Sequence, residues 1–313
     1  MRIDPLSGGV ASDIAVVDLG DKSICAKFAL PKLKVKEDWR APVHRNRAEY
    51  EWLRVAARIA PGSAVQLFGS SEHLHGFAME YLQGSDVYLW KAALLEERED
   101  RSEAGRVGNL LGQIHAISTQ PGFDTAPFHN REDFRALRIE PYLTFTAGRH
   151  PEVADELVAL AEMLFESGQV LVHGDISPKN ILFRNGQPVI LDAECATMGD
   201  ASFDASFCIN HLILKAAHLP ASRQRLLSGV VEFWNAYSAH IVWEPKNKLE
   251  ERICGLVPAL MLARIDGKSP VEYLSAAEQD RIRGLALGFV KAPTPTLRDF
   301  TRELTNRMEG VDA

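Results

Sequence analysis

The chain has no uninterrupted apolar run long enough to cross a bilayer, although 46% of its 313 residues are hydrophobic, so its apolar content is expected in a globular core. Its first residues, Met1-Arg2-Ile3-Asp4-Pro5, lack the apolar segment of a secretory signal, and a cytoplasmic protein without membrane partners is expected. Cysteine is sparse. Cys25, Cys195, Cys208 and Cys254 show no C-x-x-C spacing, which points away from a zinc site or a disulfide framework and towards reduced thiols. Positive charge is not in excess either: the formal net charge of -7 argues against a nucleic-acid partner. The basic stretch between Lys22 and Arg47 reads as a solvated face. No internal repeat or low-complexity tract is present, and the length suits two lobes with a sizeable core.

What the chain does have is concentrated in Leu171-Val172-His173-Gly174-Asp175-Ile176-Ser177-Pro178-Lys179-Asn180, with Asp192 twelve residues further on. Transfer of a γ-phosphoryl group needs a carboxylate to orient the attacking hydroxyl, and oxygen ligands for magnesium. Asp175 can supply the first; Asn180 and Asp192 can supply the second. Between the latter two, Ile181-Leu182-Phe183 and Val189-Ile190-Leu191 flank an Asn185-Gly186 turn, which is a hairpin signal. Such a hairpin sets Asn180 at the start of one strand and Asp192 at the end of its partner.

Phosphate handling also calls for a lysine and a glutamate to hold it. Ser23-Ile24-Cys25-Ala26-Lys27-Phe28-Ala29 alternates as a strand with Lys27 in an apolar run, where a lysine is costly to bury unpaired. The spacing predicts a helix over 44–59 in which Glu49, Trp52, Leu53 and Ala56 share the inward face while Glu51 points away. Upstream, Gly8 and Gly9 lie between two predicted strands, one strand-turn-strand unit before Lys27, and are candidates to approach phosphates closely.

These residues resemble the catalytic core of the aminoglycoside phosphotransferase and choline kinase family, small-molecule relatives of the protein kinases. The resemblance rests on His173-x-Asp175-x-x-x-x-Asn180 and the following Ile-Leu-Asp192. It implies Mg2+ and ATP or GTP as cofactors, Asp175 as catalytic base, Lys27 on the α and β phosphates, and Asn180 and Asp192 as magnesium ligands. It makes His173 a buttress of the catalytic loop, and Asp204 an anchor of that loop from below, where helix capping is the alternative. It also implies a hinge near residues 83–86 whose backbone meets the nucleotide base, with Glu80 and Leu82 beside it. The run from Asp192-Ala-Glu194 to Phe203-Asp204 is similar to the corresponding stretch of methylthioribose kinases.

The expected fold is α+β and bilobal, protein-kinase-like: a small mixed β-sheet lobe over residues 1–82, a hinge at 83–86, and a larger, mainly helical lobe over 87–313. Helical patterns are read at 107–117, 132–146, 151–167, 203–218, 222–240 and 248–266. No activation loop ending in Ala-Pro-Glu follows Asp192, which disfavours a protein substrate and favours a small molecule with a hydroxyl. The alternatives are a nucleotide-binding pseudokinase or regulatory module and, less well supported, a protein kinase. Glu194 is read either as a reach to metal water or a cationic substrate, or as a solvated acid. Asn210, His211 and His115, and the aromatic residues Trp234, Tyr237 and Trp243, are read as structural before functional.

Overall fold

Alternation places Cys25 and Lys27 on the buried face of a strand, and that strand is central to the first part of the fold. The structure, a computed structural model, describes residues 1–6, 11–34 and 41–312, with side chains up to residue 310. Gly8 and Gly9 lie outside the described residues. Strands β1 (Arg2–Pro5), β2 (Ser12–Asp18), β3 (Ser23–Ala29), β4 (Leu67–Ser71) and β5 (Gly76–Glu80) form a five-stranded sheet in the order β1-β2-β3-β5-β4. Every pairing in it is antiparallel, so the sheet is not mixed. Short turns explain this: β2 and β3 are joined by a tight loop at Gly20, whose φ of 95° suits glycine.

Helix α1 (Arg45–Ile59) joins β3 to β4. It buries Glu49, Trp52, Leu53 and Ala56 on one stripe, as the i, i+3, i+4, i+7 spacing requires. Residues 81–86 hold no helix or strand and lead to β6 (Val87–Leu89), α2 (Trp90–Leu95) and α3 (Glu103–Ser118). Helix α4 (Arg131–Phe134) runs through π-helical turns (Arg135–Thr144) into α5 (Phe145–Ala147). Pro141 lies inside those turns; it has no amide hydrogen to donate and its ring crowds the preceding turn, so the helix widens there.

Helix α6 (Ala154–Glu166) is followed by β7 (Val170–Val172), the hairpin β8 (Ile181–Arg184) and β9 (Gln187–Ile190), and β10 (Thr197–Gly199). Both turn residues of the hairpin have positive φ, 52° at Asn185 and 72° at Gly186, the backbone of a type I′ turn. Helices α7 (Ala201–His218), α8 (Arg223–Ser238), α9 (Lys246–Asp266), α10 (Ala276–Lys291) and α11 (Leu297–Asp312) complete the chain. Helix α7 is buried from Ala201 to Ala217 and forms the spine of the helical part, packed against α8 and α9. Arg184 ties the hairpin back to the sheet, donating to Glu80 Oε1 at 2.7 Å and to the Ala64 carbonyl at 2.7 Å. No helix among the described residues is long and apolar enough to cross a membrane.

Candidate active site

The strand β7 is wholly buried and delivers His173, Gly174 and Asp175 to the edge of the core. Gly174 has a φ of 83°, and a Cβ there would sit 2.8 Å from Cys195 Cβ, so only glycine fits this bend. Asp204, completely buried in the first turn of α7, accepts the amides of His173 at 2.6 Å and Gly174 at 2.8 Å. Capping of α7 falls instead to Asp200, which accepts the Ser202 amide at 2.9 Å. His115 Nε2 lies 3.3 Å from Asp204 and its Nδ1 lies 2.8 Å from the Tyr237 hydroxyl, so that histidine and tyrosine brace the anchor. His173 Nδ1 accepts the Asp175 amide at 3.1 Å, which leaves the proton on Nε2 to be donated to the Leu191 carbonyl at 3.1 Å. Burial holds this imidazole below its ordinary pKa, in the neutral form those two bonds require.

Replacing the anchor has a calculable consequence. Asp204→Ala strands two buried amide donors, each costing about 1–3 kcal/mol. The midpoint of denaturant unfolding is expected to drop by the equivalent of roughly 3 kcal/mol, and an unchanged midpoint overturns the anchoring role.

The Asp175 carboxylate meets Arg138 Nη2 at 3.1 Å and Lys179 Nζ at 3.2 Å, both through Oδ2. Burial opposes its ionisation, but Lys179 and Arg138 outweigh it and hold the carboxyl well below the usual range. Its other oxygen, Oδ1, is buried and makes no close hydrogen bond among the described residues, and the nearby Ser177 hydroxyl helps hold the carboxyl low. Arg138 is itself fixed by donating from Nε to the Gly174 carbonyl.

Across the site, Lys27 Nζ lies 2.9 Å from Glu49 Oε1 and 2.7 Å from Oε2, and it also contacts Asp192 Oδ1. With 2% of its surface exposed, Lys27 is a buried cation between two carboxylates. Burial works against charge on both sides of the Lys27–Glu49 pair. For the lysine, Asp192 and Glu49 outweigh burial and hold the ammonium above its ordinary range. For Glu49, burial wins over the pull of Lys27 and pushes the carboxyl up to about 7. Asp192 is held low, burial being outweighed by Lys27 and Lys179.

Asn180 precedes β8 and Asp192 follows β9, and the Leu191 amide donates to the Asn180 carbonyl at 2.9 Å, so the hairpin does bring the ends together. Asn180 Nδ2 donates to the Asp175 carbonyl at 3.1 Å, which fixes the amide plane and leaves Oδ1 as its acceptor. Asp192 adopts a φ of 71°, a conformation that costs a side-chain-bearing residue about 1–2 kcal/mol and is tolerated best by Asp and Asn. An amide oxygen and one carboxylate form a hard donor set that suits magnesium, which is commonly held by one or two carboxylates with phosphates and water completing its shell. Among the described residues no three His, Cys, Asp or Glu side chains gather to hold a metal by themselves.

Glu194 is neither solvated nor directed outwards. It accepts Arg45 Nε at 2.9 Å, and Arg45, buried in the first turn of α1, also donates to the carbonyls of Pro42 at 2.7 Å and Leu30 at 3.0 Å. Sequence reasoning missed Arg45 and Arg138. Arg45 stands four residues before Glu49 and so shares its inward face, a signal that was present. Arg138 sits in the π-helical turns, where helical periodicity gives no cue. Glu80 uses both carboxylate oxygens structurally, on Arg184 and on the Gln66 amide at 3.1 Å, while Leu82 is half-buried after β5. Tyr237 and Trp234 pack in the helical core beside His115 and Trp243.

A family model described as the phosphotransferase enzyme family matches residues 3–243. Among curated relatives, a methylthioribose kinase of Citrobacter koseri is 25% identical over 256 residues, covering 70% of this chain and 63% of that protein. A methylthioribose kinase of Bacillus velezensis is 25% identical over 247 residues, covering 69% and 61%. The chain thus spans less than two thirds of the length of these relatives. Among solved structures, an amicoumacin kinase in complex with AMP-PNP and Ca2+ superposes with a TM-score of 0.62 at 14% identity, over 96% of this chain and 92% of that one. An ethanolamine kinase of Plasmodium vivax gives a TM-score of 0.53 at 12% identity, over 92% and 82%. The likeness to these two is one of fold: a small antiparallel sheet followed by a mainly helical body.

Proposed function

The chain belongs to the phosphotransferase enzyme family, and we propose that it transfers the γ-phosphoryl group of ATP, or of GTP, to a hydroxyl of a small molecule. The observation that carries this reading is the buried Asp175 carboxylate, kept ionised by Arg138 and Lys179 on one oxygen. In this reading the Asp175 carboxylate accepts the hydrogen bond of the acceptor hydroxyl and takes its proton as the new oxygen–phosphorus bond forms and the γ-phosphorus bond to the β-phosphate oxygen breaks, releasing the nucleoside diphosphate. Because the carboxyl is held so acidic, Asp175 acts chiefly by orienting the hydroxyl, as a loose transition state allows. Lys27, held by Glu49, is the cation for the α and β phosphates. Asn180 and Asp192 are the residues that would hold magnesium, which when bound supplies neutralisation of phosphate charge. Residues 1–82 form the nucleotide lobe, 83–86 the hinge beside Glu80 and Leu82, and 87–313 the catalytic lobe. The curated relatives named methylthioribose kinases support a sugar-like acceptor.

The test is a coupled ADP-release assay with magnesium and ATP across methylthioribose, aminoglycosides, choline, ethanolamine and the hydroxy acids glycerate and gluconate. Acceptor-dependent release that Asp175→Asn abolishes supports the proposal. Nucleotide binding without any stimulated release supports a nucleotide-binding module instead. Asp192→Ala is expected to weaken magnesium-nucleotide binding by about 10- to 100-fold, as loss of even outer-shell support does at metal sites. Unchanged affinity in a nucleotide titration removes Asp192 from the ligand set.

A further inference from the structure

Lys215 and Arg264 are buried cations, 1% and 9% exposed, and neither has a carboxylate partner among the described residues. Among the described residues Lys215 Nζ reaches only the carbonyl of His211 at 3.5 Å and the face of the Tyr273 ring at 5.1 Å. Arg264 binds neutral groups, the Tyr142 hydroxyl at 3.3 Å and Ser269 Oγ at 2.9 Å, and its Nε is left without a partner, as is the Tyr273 hydroxyl. A buried cation without a counter-ion is costly; Lys215 can relieve the cost by losing its proton, whereas Arg264 stays charged, and an arriving anion would stabilise both.

Their position links them to the proposed catalytic carboxylate. On α7, Asp204, His211 and Lys215 fall at i, i+7 and i+11 and share one face, and Asp204 is the residue that grips the catalytic loop. Tyr142, which touches Arg264, lies one helical turn beyond Arg138, the partner of Asp175. His211 interacts electrostatically with Arg264, Lys215, Asp175 and Lys179, so the cations form one field with Asp175 at its edge. Burial, with Lys91 and Arg264 nearby, pulls the Lys215 ammonium down to about 7. Glu272, whose carboxylate acts on both Lys215 and Arg264 electrostatically, is engaged by Lys91. Nothing in this field suits a cationic acceptor, which Lys215 and Arg264 repel.

We infer that the acceptor carries a carboxylate bound by Lys215 and Arg264, so that the substrate class is a hydroxy acid and not an amino alcohol or an aminoglycoside. This rests on the phosphotransferase reading for the role of the ligand, but the anion subsite itself does not. The test therefore has two readouts. The first is thermal shift at pH 7 without nucleotide, comparing glycerate with glycerol and gluconate with sorbitol and glucosamine, and inorganic phosphate alone as a further arm. The second is ADP release with the same compounds.

Hydroxy acids are expected to raise the melting temperature where their alcohols do not, and Lys215→Met or Arg264→Gln is expected to weaken that binding roughly 10- to 100-fold, the scale of a lost charge-assisted hydrogen bond. Lys215→Met is close in shape and removes a buried charge, so it is expected to fold. A stabilising hydroxy acid with no phosphoryl transfer keeps the subsite and counts against the phosphotransferase reading. Transfer to neutral or cationic acceptors, with no preference for the acids, keeps that reading and overturns the proposal. Equal shifts for phosphate and the acids, both lost in the variants, show a general anion site and overturn the carboxylate assignment. No shift from any anion overturns the proposal outright.

Discussion

Asp175→Asn is expected to lower turnover by roughly 10²- to 10⁴-fold, the range for removing a positioned proton acceptor, while leaving nucleotide affinity nearly intact. The asparagine keeps the shape and still accepts from Arg138, but the charge that pairs with Arg138 and Lys179 is gone. Losing one partner of a buried ion pair costs about 3–5 kcal/mol, so the variant is also expected to melt earlier. The pH dependence has a definite sign. Because the folded-state pKa lies below the unfolded one, the carboxylate contributes stability that is present above about pH 4, the unfolded value, and is lost as pH falls below it. The stability gap between wild type and variant should therefore narrow on acidification. The same depression predicts that no acid limb of the rate profile between pH 5 and 8 arises from Asp175. Wild-type turnover in Asp175→Asn, measured by ADP release, removes the residue from the role.

The hairpin of the candidate site was legible because its residues are contiguous. Asp175, Asn180 and Asp192 lie within a loop and a two-strand ribbon whose Asn185-Gly186 turn specifies the pairing, so sequence spacing converts directly to spatial adjacency. The Lys27–Glu49 pair was legible for a different reason: two periodicities, a strand's and a helix's, each pointed a charged residue inwards, and each charge required the other. The direction of the first sheet was less legible, since alternation fixes which face is buried but says nothing of whether neighbours run parallel.

Other elements escaped because they carry too little pattern. Strands β6, β7 and β10 have three residues each, and β7 is buried on both faces, so no alternation marks it. Their pairing is imposed by the tertiary structure, as where Val172 faces Thr197. The last helix is a different case: Leu297, Phe300, Leu304 and Met308 are all buried at helical spacing, a signal present in the sequence and passed over. Arg138 shows the limit for the site. A buried arginine is recognised by what it touches, and the partners of Arg138, the Gly174 carbonyl 36 residues away and the Asp175 carboxylate 37 away, are encoded by no local pattern.

Lys27→Met tests whether the buried cation serves the fold, the proposed chemistry, or both. Its removal leaves Glu49 and Asp192 without the charge between them, in a site where Glu49 is 1% exposed. An uncompensated buried carboxylate costs about 3–5 kcal/mol unless it takes up a proton. Glu49 already has its pKa pushed up to about 7 by burial with Lys27 present, and without the lysine it rises further. A carboxyl whose folded pKa exceeds the unfolded value favours the folded state at low pH and loses that advantage as pH rises through the folded pKa. The variant is therefore expected to be closer to wild type in stability at pH 5.5 than at pH 8, the opposite trend to a simple loss of a low-pKa ion pair. Adding Glu49→Gln removes the stranded charge, so the double variant should recover most of the stability at pH 8. Turnover should not recover: withdrawing a preorganised cation from transferring phosphates costs about 10²- to 10³-fold, by analogy with the loss of one oxyanion donor. Unfolding midpoints at both pH values, together with ADP release for the single and double variants, separate the two contributions. If the double variant regains turnover along with stability, Lys27 is a structural cation and its placement on the phosphates is wrong.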